Sequence, residues 1–365
     1  MTVATLPWRQ RLTNWLTKYL YRVSTVNRML FVHNLHIMLK AGLSVVEACG
    51  ILSEQIPNRR LKTIITEVKA QIEKGRQLSE VLADFPTVFP PIYVHMIAAG
   101  ETAGTLEQAL AEVYSQMKKT YELMSHVRGA LIYPAVILVA MAGIGIEMVV
   151  FVLPKIIVLF NDFNAALPLP TRVLIAVVTF MEHYAWAVLL AAVLLAAGAV
   201  ALIQRPRVRH MVHRLNLHLP IAGTIIKKIN LARFTLTLSS LLSSTIPIID
   251  AVRITASVQG NLMYQEALLA VAEALKKGQA LSELLAQSPK LFPPMVVQMV
   301  LVGEQSGEVE HMLQELSDYY SGEVDTTMKN FSTIIEPVII IILGLAVAGI
   351  AVAVIMPMYS LAESF

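Results

Sequence analysis

The polar residues best placed to do chemistry are two glutamates, Glu101 and Glu304, each set between glycines. Both lie in the pattern Gly-Glu-x-x-Gly, at 100–104 and at 303–307. A carboxylate in such a frame can contact a partner protein or ligate a cation. It can also be a structural charge favoured by the positive end of the next helix. Both alternatives stay open, and the residues concerned are Gly100, Glu101, Gly104, Gly303, Glu304 and Gly307.

Two further acids, Glu147 and Glu336, lie inside long apolar runs. An ionisable residue within a membrane segment is costly and is a functional candidate by default. A proton or ion pathway would need several such acids facing one another, and two at opposite depths are a poor match to that requirement. Both are kept as intramembrane polar candidates.

Motifs for enzymatic chemistry are absent from the sequence. The glycine frames lack the lysine and the preceding strand of a phosphate-binding loop, and neither G-x-S-x-G nor H-E-x-x-H occurs. The nine histidines are mostly scattered, and Cys49 is the single cysteine. We therefore expect no catalytic residues, no metal site, no cofactor and no enzyme activity. The net charge of +3 is too small to indicate nucleic-acid binding.

The two glycine frames belong to a long internal repeat. Residues 29–154 and 232–357 align without a gap at a constant separation of 203 residues. The repeated anchors are KGxxLSE (74–80 and 277–283), FPP (89–91 and 292–294), Pro134 with Pro337, and Pro154 with Pro357. This register indicates a duplicated unit.

Each copy begins polar and ends in an apolar run of membrane length. The chain is 56% hydrophobic and 15% charged, whereas about 25% charged residues is usual for a soluble protein. Three runs reach the roughly 20 residues that a membrane-spanning helix needs, at 131–153, 184–203 and 334–357. The predicted fold class is an all-α membrane protein with two homologous cytoplasmic helical-bundle domains and three transmembrane helices.

Charge distribution predicts the orientation. Residues 1–130 hold fifteen Lys and Arg against ten acids, and the basic linker 204–230 lies in a stretch without acids. Cytoplasmic flanks carry such an excess. We therefore expect copy one (28–130) and copy two (231–333) inside, the connection 154–183 outside, and the tail 358–365 outside. The middle span has no counterpart in the repeat and supplies the return crossing.

The N-terminal segment 1–27 has one apolar face and no continuous apolar centre, so we expect no cleavable signal peptide. This segment either lies on an anionic membrane surface or packs on copy one.

Within each copy the pattern predicts a series of helices. Ser79 and Ser282 are expected to cap a short helix, and Pro91 and Pro294 are expected in the first turn of the next. The segments 100–104 and 303–307 are expected to be turns. The final helices are expected to start near Thr105 and Glu308 and to run towards the membrane.

The ordered motifs, present twice, resemble the type II secretion system F family. The residues that carry the resemblance are Gly42, Gly75, Leu78, Ser79, Phe89, Pro90, Gly100, Glu101, Gly104, Leu106, Pro154, Lys155, Leu167, Pro168 and Thr171, then Gly278, Leu281, Ser282, Phe292, Pro293, Gly303, Glu304, Gly307 and Pro357. The family implies an inner-membrane platform protein of a type IV pilus or type II secretion machine. Many members carry a longer leader than the 27 residues found here, and copy two replaces the Gly42 turn with residues 245–247.

The implied partners are a hexameric assembly ATPase, pilin or pseudopilin subunits, other inner-membrane assembly proteins and the lipid bilayer. A homo-oligomer is expected, with the N-terminus in the cytoplasm and the C-terminus in the periplasm of a bacterium. The alternative function is an oligomeric transporter or channel component, because internal repeats at membrane positions are common in transporters.

Overall fold

The structure, a computed structural model, describes residues 23–147 and 201–362, together with isolated positions between 151 and 198. Within these residues all regular structure is helical and no strand is present. This confirms the all-α prediction for the described part of the chain.

Copy one contains six helices, and copy two repeats them. In copy one these are α1 (Thr25–Lys40), α2 (Val45–Gln55), α3 (Arg59–Ile72), α4 (Leu78–Ala83), α5 (Pro91–Thr102) and α6 (Leu106–Glu147). The linker forms α7 (Pro206–Asn216). Copy two contains α8 (Ala222–Ser243), α9 (Ile248–Val258), α10 (Leu262–Leu275), α11 (Leu281–Ala286), α12 (Pro294–Ser306) and α13 (Val309–Ala362).

Local sequence signals account for most helix starts. Ser44 and Glu47 form a capping box at the start of α2, in which each side chain bonds the backbone N–H of the other residue. Asn58 accepts a hydrogen bond from Leu61 N at the start of α3. Pro91 and Pro294 occupy the first turns of α5 and α12, as predicted.

The two copies share one core design. Phe31 of α1 packs on Phe89 with ring centroids 5.8 Å apart. The equivalent residues of copy two, Phe234 and Phe292, have centroids 5.3 Å apart. All four rings are almost fully buried, so the repeat seen in sequence is also a repeat in packing.

The described chain divides into two compact units. One contains residues up to Met124 together with Ile226–Glu323, and therefore holds the small helices of both copies. Within it, α9 of copy two packs against α5 of copy one. The other contains Ser125–Ile225 and the residues from Val324 onward.

Among the described residues, two helices are long and apolar enough to cross a membrane, over Leu106–Gly145 and Val309–Gly349. Their apolar parts are not core, since Val139 and Leu345 expose 73% and 70% of their surface. Helix α6 contains the predicted span 131–153 as far as Glu147, after which most residues of that span lie outside the described part of the chain, and α13 runs through 334–357. The third predicted span, 184–203, is described only at scattered helical positions and at 201–203, whereas almost all of the connection 154–183 and most of the segment 1–27 lie outside the described residues.

Two kinds of local prediction were wrong. Ser79 and Ser282 do not precede their helices but lie inside α4 and α11, whose N-cap positions are Gln77 and Ala280. The predicted turns are partly helical, because α5 continues to Thr102 within 100–104 and α12 continues to Ser306 within 303–307.

The predicted linker, residues 204–230, is largely helical. It contains the whole of α7 and the first turns of α8.

Candidate functional site

Glu101 caps the N-terminus of α4, a helix that lies earlier in the sequence. Its carboxylate accepts hydrogen bonds from Leu78 N at 2.6 Å, from Ser79 N at 3.0 Å and from the Ser79 hydroxyl at 2.6 Å. The first N–H groups of a helix have no partner within that helix. Because Gln77 makes no side-chain cap, Glu101 supplies one from 22 residues away.

Glu304 does the same in copy two. It accepts from Leu281 N at 2.5 Å and from Ser282 N at 3.2 Å, and the Ser282 hydroxyl also donates to it. The carboxylate charge faces the positive end of α11, where an anion is stabilised. Both glutamates are half-buried.

The glycines of the frame have two different roles. A Cβ at Gly100 would lie 2.2 Å from Ala109 Cβ, and one at Gly303 would lie 2.8 Å from Val309 Cα. These glycines therefore let consecutive helices cross closely. Gly104 and Gly307 have φ values of 72° and 77°, a left-handed conformation that suits the end of a helix.

The frame is thus a structural brace that joins three helices in each copy. Each carboxylate already receives three hydrogen bonds. This agrees with the structural alternative raised by the sequence, in which the charge stabilises the start of a helix. The helix that it stabilises is, however, the preceding one and not the next. Contact with a partner through this frame remains a prediction. In the described part of the chain, no group of three or more His, Cys, Asp or Glu residues could hold a metal ion.

The packing of copy two on copy one forms a second candidate site. The Ser240 hydroxyl of α8 donates to Gln116 Oε1 of α6 at 2.7 Å. Arg233 of α8 points a guanidinium nitrogen at Met124 Sδ, 3.4 Å away, and donates to Val258 O at 3.3 Å. The contacts of Ser240 with Gln116 and of Arg233 with Met124 join the two copies.

Burial changes the ionisation of groups at this interface. It lowers the pKa of Arg233, an effect that Tyr93 of copy one opposes. Burial also raises the pKa of Tyr93, against the opposing effects of Arg28, a hydrogen bond with Thr120, and Arg233. Tyr93 and Arg233 therefore interact electrostatically across the interface.

A crevice of about 600 Å³ opens beside this interface. Copy one contributes His36 and Lys40, and copy two contributes residues 243–245. His36 Nδ1 lies 3.1 Å from the backbone oxygen of Glu107 and 3.2 Å from its carboxylate. Thr245 has φ 59°, the one positive φ among the described residues other than glycine, and a side chain there is strained.

The described residues do not bring the two acids that were predicted to lie in the membrane into a pathway. Glu147 is the last residue of α6, and Glu336 lies in α13 before Pro337. Both are exposed. Any role in moving protons or ions remains a prediction.

Sequence reasoning missed the residues between the copies. The signal was present in the alignment of the repeat, in which Gln116 aligns with Tyr319 and Arg233 aligns with Leu30. A buried interface on one copy and an open surface on the other require different side chains. Departures from the repeat therefore mark the places where the copies have different neighbours.

Comparison with known proteins gives the same repeat. The family model for the type II secretion system (T2SS), protein F, matches twice, at residues 31–154 and 234–357. The two matches keep the register found in the sequence and together cover most of the chain.

Curated relatives match across both copies. The chain is 32% identical to the type IV pilus assembly protein PilC of Myxococcus xanthus, over 92% of this chain and 80% of the relative. It is 35% identical to PilC of Thermus thermophilus, over 91% and 82%. It is 32% identical to the type II secretion system protein F of Vibrio cholerae, over 92% and 82%. Two spaced matches to one family model and these full-length similarities show that the chain belongs to the type II secretion system protein F family.

Proposed function

We propose that this chain is the inner-membrane platform protein of a type IV pilus or type II secretion machine. It couples a cytoplasmic assembly ATPase to the insertion of pilin or pseudopilin subunits into a filament. The relatives include assembly proteins of both kinds of system at similar identity. The proposal therefore covers both.

The observation that carries the proposal is the continuity of α6 and α13. Helix α6 packs Leu110 and Val113 into copy one, and the same helix then continues into an apolar, exposed run. Helix α13 repeats this in copy two. A helix rises 1.5 Å per residue, so the 42 residues of α6 extend roughly 63 Å. An unbroken helix transmits displacement at one end to the other.

The proposed orientation places both copies in the cytoplasm, together with the N-terminus, and the tail 358–365 in the periplasm. Two parallel crossings that leave both copies on one side require a return crossing, which we assign to residues 184–203. Cysteines introduced at exposed Lys277 and at Glu363 should react with a membrane-impermeant maleimide from opposite sides. Labelling of both from the periplasm would contradict this orientation.

The role in assembly is tested by deleting the gene and restoring it in trans. Filaments or secretion should be lost and should return with the wild-type chain. Normal filaments or secretion in the deletion strain would refute the proposal.

The role of helix continuity is tested at Gly129, which lies in α6 between copy one and the apolar run. A side chain at Gly129 meets nothing within 4 Å. Helix α6 continues through Pro134, and Gly129→Pro adds a second interior proline, which removes a further helix hydrogen bond at a cost of about 3 kcal/mol or more. Gly129→Ala keeps the helix intact. The proline variant should still co-purify with the ATPase but should not support assembly, whereas the alanine variant should support both. Equal assembly by the two variants would contradict transmission through α6.

A further inference from the structure

The contact between copy two and copy one joins two different surfaces of the repeat. Copy two contributes its donor face, made of α8 and α9, which includes Arg233, Ser240 and Ile254. Copy one contributes its acceptor face, made of α5 and α6, which includes Ile92 and Gln116. Helix α9 packs on α5, and Ser240 bonds Gln116. Because the surfaces differ, each copy has both a donor face and an acceptor face. The contact within the chain uses the donor face of copy two and the acceptor face of copy one, and it leaves the other two faces unused.

The unused donor face is on copy one, on α1 and α2. Ile254 of copy two is 8% exposed, whereas its equivalent Ile51 is 38% exposed. Helix α8 is buried on every side, from Leu231 through Ser239 except at Arg233. Helix α1 buries only Phe31, Val32 and Leu35. The surface that is covered on α8 is therefore exposed on α1, the equivalent helix of copy one.

The unused acceptor face is on copy two, on α12 and α13. Ile92 is 4% exposed and Gln116 is 2% exposed. Their equivalents, Met295 and Tyr319, are 40% and 46% exposed. The same surface is therefore covered on one copy and open on the other.

Both open faces expose large apolar side chains. Leu30 and Ile37 on the open donor face are each 48% exposed, and Val302 on the open acceptor face is 51% exposed. The open donor face also carries a recess of about 190 Å³ lined by Leu30, Phe31, Leu52 and Ile56 with four polar or small neighbours. Large apolar side chains exposed around a recess are typical of an interaction site.

We propose that a second copy of this chain occupies these faces, with the acceptor face of copy two on one chain packed against the donor face of copy one on the next. The intermolecular contact repeats the contact that already joins the two copies within one chain. It is heterologous, so chains assemble head to tail and copies alternate one, two, one, two. This inference stands independently of the proposed function, since it needs neither the ATPase nor a filament.

The contact predicts which residues meet between chains. Within a chain, Ser240 meets Gln116, so between chains their equivalents Ile37 and Tyr319 should meet. Chains carrying Ile37→Cys and chains carrying Tyr319→Cys, with different affinity tags, are co-expressed and treated in the membrane with a short bis-maleimide. The wild-type Cys49 can remain, because burial raises the pKa of its thiol to about 12 and a buried thiol is inert.

A covalent dimer carrying both tags is expected. The matched control replaces Tyr319→Cys with Leu269→Cys, which is exposed on α10 outside both faces and should give no such dimer. Crosslinking of each single-cysteine chain only to itself would indicate like faces in contact and would overturn the proposal. Absence of any dimer would overturn it as well. A crosslink between Ile37→Cys and Trp15→Cys within one chain would also overturn the proposal, because the N-terminal segment would then cover the donor face.

A second variant pair tests the energetics without crosslinking. Ile37→Glu or Tyr319→Glu places a carboxylate in an apolar contact, which should raise the dissociation constant about tenfold or more. Both positions are solvent-exposed within one chain, so the fold should tolerate the change, which unfolding curves would verify. Unchanged mass of the purified detergent complex for both variants would overturn the proposal.

Discussion

The hydroxyl of Ser240 in α8 donates to the amide oxygen of Gln116 in α6 at 2.7 Å, although the two residues lie 124 positions apart. Gln116 is almost fully buried, so its amide depends on this contact.

Removal of one partner should cost more than removal of both. Ser240→Ala leaves a buried acceptor unsatisfied, and we expect a loss of about 1 to 3 kcal/mol in unfolding free energy. Gln116→Leu combined with Ser240→Ala should recover much of that loss, because neither polar group remains. Chemical denaturation of the wild type and of these two variants measures the difference, and equal losses for the single and the double variant would contradict the contact.

The Glu101 brace should contribute to the stability of copy one. Glu101→Gln keeps the shape but removes the charge that faces the start of α4, and charged hydrogen bonds are the stronger kind. We expect a loss of about 1.5 to 3 kcal/mol. Glu304→Gln should lose a similar amount. Glu80→Gln, at an exposed site on the same helix, is the control and should change stability by less than about 0.5 kcal/mol. A brace variant as stable as that control would refute the structural role.

The close crossing of α5 and α6 at Gly100 should leave no room for even one methyl group. In Gly100→Ala the new Cβ would overlap Ala109 Cβ, and overpacking of this kind costs about 1 to 3 kcal/mol. Gly129→Ala, in open space on a helix, should instead gain about 0.5 to 1 kcal/mol from better helix propensity. The double variant Gly100→Ala with Ala109→Gly should recover part of the loss. Thermal unfolding of all three distinguishes a crossing requirement from a general preference for glycine.

The strained backbone at Thr245 should relax when the side chain is removed. Thr245 occupies the position of Gly42, which has φ 89° in copy one. Thr245→Gly should stabilise the protein by about 1 kcal/mol, and Gly42→Ala should destabilise it by a similar amount. If Thr245→Gly is more stable but assembles fewer filaments, the strain beside the crevice serves function. A less stable Thr245→Gly would contradict the strain.

Alkaline pH should destabilise copy two through Tyr320. Burial, with smaller effects from Tyr319 and Glu323, raises the pKa of Tyr320 from 10.0 to about 12. A raised pKa means that the folded state binds the proton more tightly than the unfolded state. The resulting stability is complete below pH 10 and is lost as the pH rises to 12.

Tyr320→Phe should remove this dependence. Its unfolding free energy, relative to the wild type, should increase between pH 10 and 12, while Tyr121→Phe, at a more exposed position, should follow the wild type. A constant difference between Tyr320→Phe and wild type across that range would contradict the assignment.

The sequence alone determined the repeat, its register and the helical class. These follow from local patterns: Pro91 and Pro294 start helices because a missing N–H costs nothing there, and the positive φ at Gly104 and Gly307 follows from their place at helix ends. Two of the three apolar spans are also found as exposed helices of sufficient length. The motifs resemble those of the family because their order and spacing are preserved in both copies.

Only the tertiary structure decided what Glu101, Ser79 and Gly100 do. Ser79 has the residue type of an N-cap, yet the cap is supplied by Glu101, which approaches only after α5 folds back onto α4. Gly100 has an ordinary helical conformation, and its importance comes from Ala109 on the next helix. The unequal surroundings of the two copies were likewise invisible in the repeat, because equivalent sequences imply equivalent folds but not equivalent neighbours. Long-range contact, unlike local propensity, has no fixed spacing in sequence from which it can be read.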